Sequence, residues 1–586
     1  MTIRHRLRDE RGIALVVVLL VALAVAAISL GAGMLTSNTS AINLYSDRLS
    51  VLEAAAEAGL EEARSRLNGD RSLYPQTDYV TLEDGAWVTD ASGSPIPNVR
   101  RSLYAGPTGI TSGQYGVFGS LVAVVEDNFG NKIVRRLEVF QESFAKYAYF
   151  TDNEGGNIYF GGGDQIFGPL HTNDQMKIHS TGATFHSTVE TAEDVYQEQY
   201  GTFKQGYIEY GRYIPMPETA ELTRLQTQAA AGFTTIVGNS NGGHGEATTR
   251  IEFVAIDLNL DGDVTDDNEG FMKVYQALNN PNWVTADLTV SSMQNMVNCG
   301  DFWNHGGRFR RANEHSIDGH SWSQGLAHES RRCYLGGHDS IWGGVFTAND
   351  TQGGAWLPWP GPAITHPQVT GRPQGDGAYL WPISRELNPT FKGVIYVEGK
   401  VAISGVLRGR VTLAATDDIV IADDVTYSID PGAGTCRDIL GIFSADDVVI
   451  ANNTLNAPTR RTTTTNPYYT FDDTKDEFIH GVILALNIFT AEDYDTGSDD
   501  DEACEATDWG RGCIYLTGGI IQDTRGAVGL TSGRGYLKRY AYDQCAASEP
   551  PPYFPTTGHF TRGRFFEVDP VDFEVGAYYA ALSGGN

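Results

Sequence analysis

The stretch from Asp257 to Gly270 reads DLNLDGDVTDDNEG. Asp257, Asn259 and Asp261 fall at alternate positions, followed by Gly262 and Asp263. This matches the D-x-[DN]-x-D-G opening of a calcium loop, in which hard oxygen ligands from every other residue converge. The glycine permits the sharp turn that convergence needs. A regular EF-hand also places a bidentate Glu at the twelfth position. Here that position holds Asn268, and Glu269 comes one residue later. A regular EF-hand is therefore excluded, and Asp266, Asp267 or Glu269 is left to close the shell. Structural Ca2+ is the expected cofactor; an acidic hairpin turn without metal is the alternative.

Two other residue sets could do chemistry. His305, His315, His320, His328 and His338 crowd one region. Imidazole suits zinc or copper, but the spacing matches no zinc motif, so hydrogen-bonded loop histidines are expected. His171, His179 and His186 recur at nearly equal intervals and read as the mark of a structural repeat. Asp417-Asp418, Asp423-Asp424 and Asp446-Asp447 offer the paired carboxyls that glycosidic cleavage requires. Aspartate also favours turns, because its side chain caps local N–H groups, and turns are the reading taken. The chain shows no nucleophile elbow, P-loop or dinucleotide fingerprint. No catalytic residue is assigned. A membrane-anchored β-helix enzyme acting on polysaccharide, a hydrolase or a lyase, stands as the alternative function.

The elements that carry these residues are mostly β. The chain has 586 residues, enough for several domains. Lys and Arg number 42 against 73 Asp and Glu, a net charge of −31, with 67 glycines. So acidic a body repels phosphate backbones, and nucleic acid is an unsuitable partner. From about Tyr149 onward, short apolar pieces alternate with Gly, Asn and Asp. Examples are Val394 with Tyr396, Val401 with Ile403, Val411 with Leu413, Ile419 with Ile421, and Val448 with Ile450. Short strands at regular spacing without intervening helices predict a stacked β-solenoid, parallel β-helix-like body. A β-sandwich is the alternative. Six cysteines, Cys299, Cys333, Cys436, Cys504, Cys513 and Cys545, include no Cys-x-x-Cys pair. Their even number and an export-like N-terminus predict disulfides, with the connectivity left open.

The N-terminus sets the class. Arg4, Arg6 and Arg8 precede RGIALVVVLLVALAVAAISLGAGML, which opens on Arg11 and carries no charge after it. A helix from Ile13 to Leu35 is about 35 Å long, enough to cross a bilayer, and it predicts a single inner-membrane span with the basic end in the cytoplasm. Tyr45, Leu49, Leu52, Ala56, Leu60, Ala63 and Leu67 then continue at helical spacing as one apolar stripe. Asn68-Gly69 stops the helix. Gly31, Gly33 and the TSNTS patch predict a soft point.

RGIALVVVLLVALAVAAISL together with AAAEAGLEEARSRL resembles the N-terminus of type IV pilin-like proteins, close to the PilX-like minor pilins. The resemblance implies that a prepilin peptidase cuts after Gly12, leaving Ile13 as the new terminus. It also implies other pilin-like subunits as partners through the helix. Most pilins carry Glu at the fifth mature position, where this chain has Val17, which points to a minor or tip subunit of a pilus or of a type II secretion-like pseudopilus. GPLHTN, GVIYVEG, GGIIQDTRGAVG, YLKRYAYD and PPYFPTTGHF resemble an uncharacterised β-rich envelope domain that follows such N-termini. The expected organisation is a leader at 1–12, a stem helix at 13–67 and a small β-rich region at 68–145. A β-helix-like body at 146–194 and 386–530 follows, with an insertion or second lobe at 195–385 and a C-terminal extension at 531–586. The expected function is assembly priming or adhesion. The expected location is the inner membrane, then a periplasmic or cell-surface filament.

Overall fold

In this computed structural model the described residues are 11–75, 78–108, 116–238, 247, 249–277, 285–288, 302–305, 308–311, 331–334, 354–451, 459–461, 468–470, 477–492, 494–495 and 513–583. The chain divides into two compact units. The first holds Met1–Ile110, Phe118–Phe140 and Phe560–Asn586, and the second Thr111–Val117 and Gln141–His559.

The first unit begins with helix α1 (Arg11–Gly69). At about 1.5 Å per residue it runs close to 90 Å. The soft point does not interrupt it. The hydroxyls of Thr36 and Thr39 donate to the carbonyls of Ala32 and Leu35, both at 2.8 Å, so these poor helix formers spend their polarity inside the helix. Strands β1 (Val80–Thr89), β2 (Pro95–Gly106), β3 (Phe118–Asp127) and β4 (Lys132–Ser143) pair antiparallel in sequence order. The β3–β4 turn is held by Asp127, whose carboxylate accepts from the N–H groups of Phe129 and Asn131. The sheet is completed beside β4 by the C-terminal strand Thr556–Val568. The stretch 531–586, expected as a C-terminal extension, is thus divided. Leu537–Tyr542 pairs in the second unit, and residues from Phe560 belong to the first. Leu52, Ala56, Leu60, Ala63 and Leu67 of α1 are buried against Leu103, Leu121, Ala123, Leu137 and Phe560.

The second unit is built on long parallel ladders. One runs through Thr235–Val237, Val394–Glu398, Arg410–Ala415, Ile439–Ser444, Glu477–Ala485 and Cys513–Thr524. It continues, parallel, through Tyr149–Asn153, Leu170–Thr172, Val189–Thr191 and Tyr207–Ile208. A second ladder joins Thr249–Ala255, Val401–Leu407, Ile419–Tyr427, Val448–Ile450 and Phe489–Ala491. A third links Cys513–Thr524 to Leu537–Tyr542, Asp164–Phe167, Ala183–Phe185 and Gly201–Phe203. Spatial order therefore departs from chain order. The chain enters mid-ladder at Tyr149, runs to Ile208, and then resumes at the opposite end with Thr235.

The core follows from the apolar runs. Ile395, Val397, Val401, Ile403, Val411, Leu413, Ile419, Ile421, Val448 and Ile450 form one buried cluster. Val394 and Tyr396 face the other way, onto Leu222, Leu225 and Ala229 of helix α2 (Ala220–Ala231). Strands covered on both faces are apolar on both faces, so alternation in such a run does not reveal which side is inner. Within the expected lobe at 195–385, Gly201–Phe203 and Tyr207–Ile208 continue the ladders, and Gly270–Ala277 lies antiparallel on Thr249–Ala255. Cys436 and Cys545, 109 residues apart, form a disulfide that ties the 430s loop to the segment after Tyr542. Cys513 is also disulfide-bonded. Cys299, Cys504 and the side chain of Cys333 lie outside the described residues.

Candidate functional site

Helix α1 changes character along its length. Its most apolar 18-residue window has a mean hydropathy of 2.9, and none of that window is buried. Leu15 through Leu20, Leu23, Ile28, Leu35 and Leu44 all stand exposed. The turns from Leu52 onward bury their apolar stripe on the sheet. Arg101 is held there between Glu62 and Glu83, with its Nε 2.8 Å from Glu83. One continuous rod therefore presents uncovered hydrocarbon from Ala14 to Leu35, about 33 Å of helix and long enough to cross a bilayer. In water each such side chain would forgo about 1.5–3 kcal/mol of burial. Gly12 and Ile13 lie in the first turn of this helix.

The calcium-like loop closes around its own backbone. Both carboxylate oxygens of Asp257 accept N–H groups, from Leu260 at 2.6 Å and Gly262 at 2.9 Å. Gly262 takes φ +96°, the left-handed turn that its lack of Cβ allows. Asp261 and Asp263 cap the N–H groups of Asp263 and Thr265. The Asn259 side-chain amide donates to both Asp261 (2.9 Å) and Asp266 (2.6 Å), so an N–H group sits between two carboxylates where a cation would sit. Glu269 is buried, and its two oxygens accept the N–H groups of Leu258 (2.8 Å) and Asp266 (2.9 Å). The structure thus gathers Asn259, Asp261 and Asp266, places Asp257 and Glu269 as backbone caps, and sets Asp263 on Thr265.

Sequence reasoning missed the side chain that anchors this loop. Arg408 is 1% exposed. It donates to the carbonyls of Thr265 (2.7 Å) and Asp266 (3.0 Å), and it pairs with Asp267 (2.7 Å) and buried Asp438 (2.6 Å). Nothing local in GVLRGR marks an arginine as interior; only the arrival of two distant acidic segments makes it so.

Two of the aspartate pairs, Asp417-Asp418 and Asp446-Asp447, lie at turns between successive ladder strands. Asp418 accepts the N–H of Asp447, and Asp447 accepts that of Ile488, each at 3.1 Å. Burial, reinforced by Asp418 and Asp446, pushes Asp447 above the usual carboxylate range. Among the described residues, Asp417, Asp418 and Asp446 bring carboxylate oxygens within 4.8 Å of one another. The third pair, Asp423-Asp424, falls within Ile419–Tyr427, where Asp424 accepts the N–H of Phe478 (2.9 Å). Of the histidine cluster, His305 falls on the strand Phe302–His305, and the other four lie outside the described residues.

Among solved structures, the chain is similar to the competence-associated pilin ComZ from Thermus thermophilus. Identity is 12%, 88% of this chain and 96% of that chain are covered, and the TM-score is 0.27. A TM-score of 0.27 is too low to establish a shared fold. No family model and no curated protein matches the chain.

His171 is the buried histidine of the ladder. Its Nε2 lies 3.0 Å from Asn173, and its ring stacks on Phe150 at 5.2 Å. Burial lowers its pKa below 6.5; Asn173 and Glu190 oppose that shift, and Arg212 and Lys146 reinforce it. Burial lowers His480 in the same direction, opposed by Asp430. The unfolded chain then binds more protons than the folded one below 6.5, so stability falls as pH drops from that value. Denaturant midpoints measured from pH 8 down to pH 5.5, about one unit below the ordinary histidine value, are expected to decline. The decline is expected to be shallower in His171→Phe.

Proposed function

We propose that this chain is a minor or tip subunit of a type IV pilus-like or type II secretion-like filament. Its stem anchors in the inner membrane and then packs beside the stems of other pilin-like subunits. The observation that carries this reading is the single helix α1, apolar and uncovered along its first part and docked on an antiparallel sheet along its last. Such a rod needs lipid before assembly and neighbouring rods afterwards. The PilX-like sequence of the stem supplies the finer assignment, with cleavage by a prepilin peptidase between Gly12 and Ile13. The acidic body, displayed in the periplasm or at the cell surface, serves assembly priming or adhesion rather than catalysis. In this reading the parallel ladders are the faces of a β-solenoid, which stiffens the displayed body.

The test is to isolate the chain from its native membranes, sequence its N-terminus, and look for it in filaments sheared from the cells. The expected result is a chain beginning at Ile13 and present in the filaments. A chain that begins at Met1 and stays in the membrane fraction overturns the proposal.

The loop of Asn259, Asp261 and Asp266 is proposed to take Ca2+ as a structural ion, the cation replacing the Asn259 amide between the two carboxylates. Titrating the chain with calcium in a calorimeter is expected to release heat in the wild type and none in Asp261→Ala. Equal heats in the two proteins would end this assignment.

A further inference from the structure

An open cleft of about 590 Å³ lies at the end of α2, lined by Gln226, Thr227, Ala230, Phe233, Thr235 and Pro360. Its most unusual member is Phe233. This residue takes φ +59°, a left-handed conformation that a bulky side chain rarely adopts. It sits just past the helix end, a position that most often falls to glycine. Its neighbours lock it there. The Gly232 carbonyl accepts from buried Asn388 at 2.7 Å, and the Thr234 hydroxyl donates to the Val394 carbonyl at 2.6 Å. The ring receives little burial in return, for Phe233 remains 41% exposed. A strained backbone that delivers an aromatic ring to the surface points to a use for the ring.

The facing wall is equally fixed. The Trp359 ring meets the Phe233 ring edge-to-face, 6.2 Å between centroids. The Trp359 indole N–H donates to the Pro362 carbonyl at 2.9 Å. A side chain at Gly361 would strike the Trp359 ring at 2.2 Å, so the turn through Pro360 lies flat against that ring. Polar groups complete the lining. The Gln226 amide donates to Glu398 at 2.9 Å, which fixes the side chain and leaves its carbonyl oxygen as an acceptor. The Thr227 hydroxyl donates to the Thr223 carbonyl at 3.1 Å, which leaves its oxygen as a further acceptor. None of the six lining residues is charged, although the chain as a whole carries −31.

We propose that this cleft binds a neutral saccharide. The faces of Phe233 and Pro360 receive the C–H face of a sugar ring, and Thr227 and Gln226 accept hydrogen bonds from its hydroxyls. An anion finds no cation among the described lining residues, and a purely apolar ligand leaves the Thr227 and Gln226 acceptors unmet. The volume falls in the range of small-ligand sites and suits a few sugar units. The site is independent of the filament reading and needs no membrane.

The full chain in lipid nanodiscs, free of glycoside detergents, is screened against immobilised neutral oligosaccharides: maltotriose, cellotriose, chitotriose and mannotriose. Binding of at least one of them is expected. Phe233→Gly then separates function from packing. It relieves the left-handed strain, so the melting temperature is expected to hold or rise, while binding weakens about tenfold through loss of the aromatic face. Thr227→Val is expected to keep the fold and weaken binding likewise. Three outcomes overturn the proposal: no oligosaccharide of the panel bound; binding unchanged in both variants; or retention by the same cleft of a polyproline peptide with no sugar bound.

Discussion

Replacing Arg525 by Met is expected to destabilise the second unit by about 3–5 kcal/mol, the cost of leaving one partner of a buried ion pair alone. Arg525 donates to Glu154 at 2.7 Å, and both side chains are buried. Its guanidinium also lies over the Phe160 ring at 3.8 Å. Burial works against the arginine's charge, but Tyr149 and Glu154 outweigh it, and its pKa is raised. Beside this pair Lys538 meets Asp164 at 2.8 Å, and burial pulls that lysine's pKa down. In both pairs the partners come from the two segments that join where Cys513–Thr524 meets Tyr149–Asn153. The four charges therefore fasten a seam between parts of the chain remote in sequence. Denaturant midpoints should fall steeply in Arg525→Met. The double replacement Glu154→Gln with Arg525→Met should recover much of the loss, because no charge is then left buried without a partner. If the double variant is as unstable as the single one, packing around Arg525, and not the pairing, holds the seam.

The second large effect is expected at Arg408. Arg408→Met leaves Asp438 buried with one ion-pair partner lost and frees the carbonyls of Thr265 and Asp266. A loss of about 3–5 kcal/mol is expected by the same reasoning. Asp438 keeps bonds from the Gly409 N–H, the Ser428 hydroxyl and the Ile429 N–H, which places the loss toward the lower end. Limited proteolysis supplies a second readout. With its anchor gone, the segment 257–269 should be cut earlier than in the wild type. An unchanged melting temperature together with an unchanged cleavage pattern would show that Arg408 is not the anchor of this loop.

Much of this could be read from the residues alone. The stem helix was legible because twenty-odd uncharged residues and an apolar stripe at helical spacing leave few alternatives. The ladder strands were legible as strands, yet which side of each faced the core was not. Val394 and Tyr396 turn toward α2 because parallel strands covered on both faces carry no polar side to orient them. The soft point at Gly31 and the TSNTS patch was expected from intrinsic propensity, and the local back-bonds of Thr36 and Thr39 met it within the helix.

The sequence by itself determined the local facts: an apolar rod, a run of short strands, and an acidic loop built on a glycine turn. Each depends on neighbours within a few residues, where spacing and side-chain type act directly. Only the tertiary structure decided which strands adjoin, that the chain enters its ladder in the middle, and that Arg408, Arg525 and Lys538 lie inside. Those outcomes depend on contacts beyond the reach of local spacing, from 30 residues apart at Arg408–Asp438 to 374 at Lys538–Asp164. A charged side chain reads as surface until a carboxylate from elsewhere in the chain arrives to share its burial.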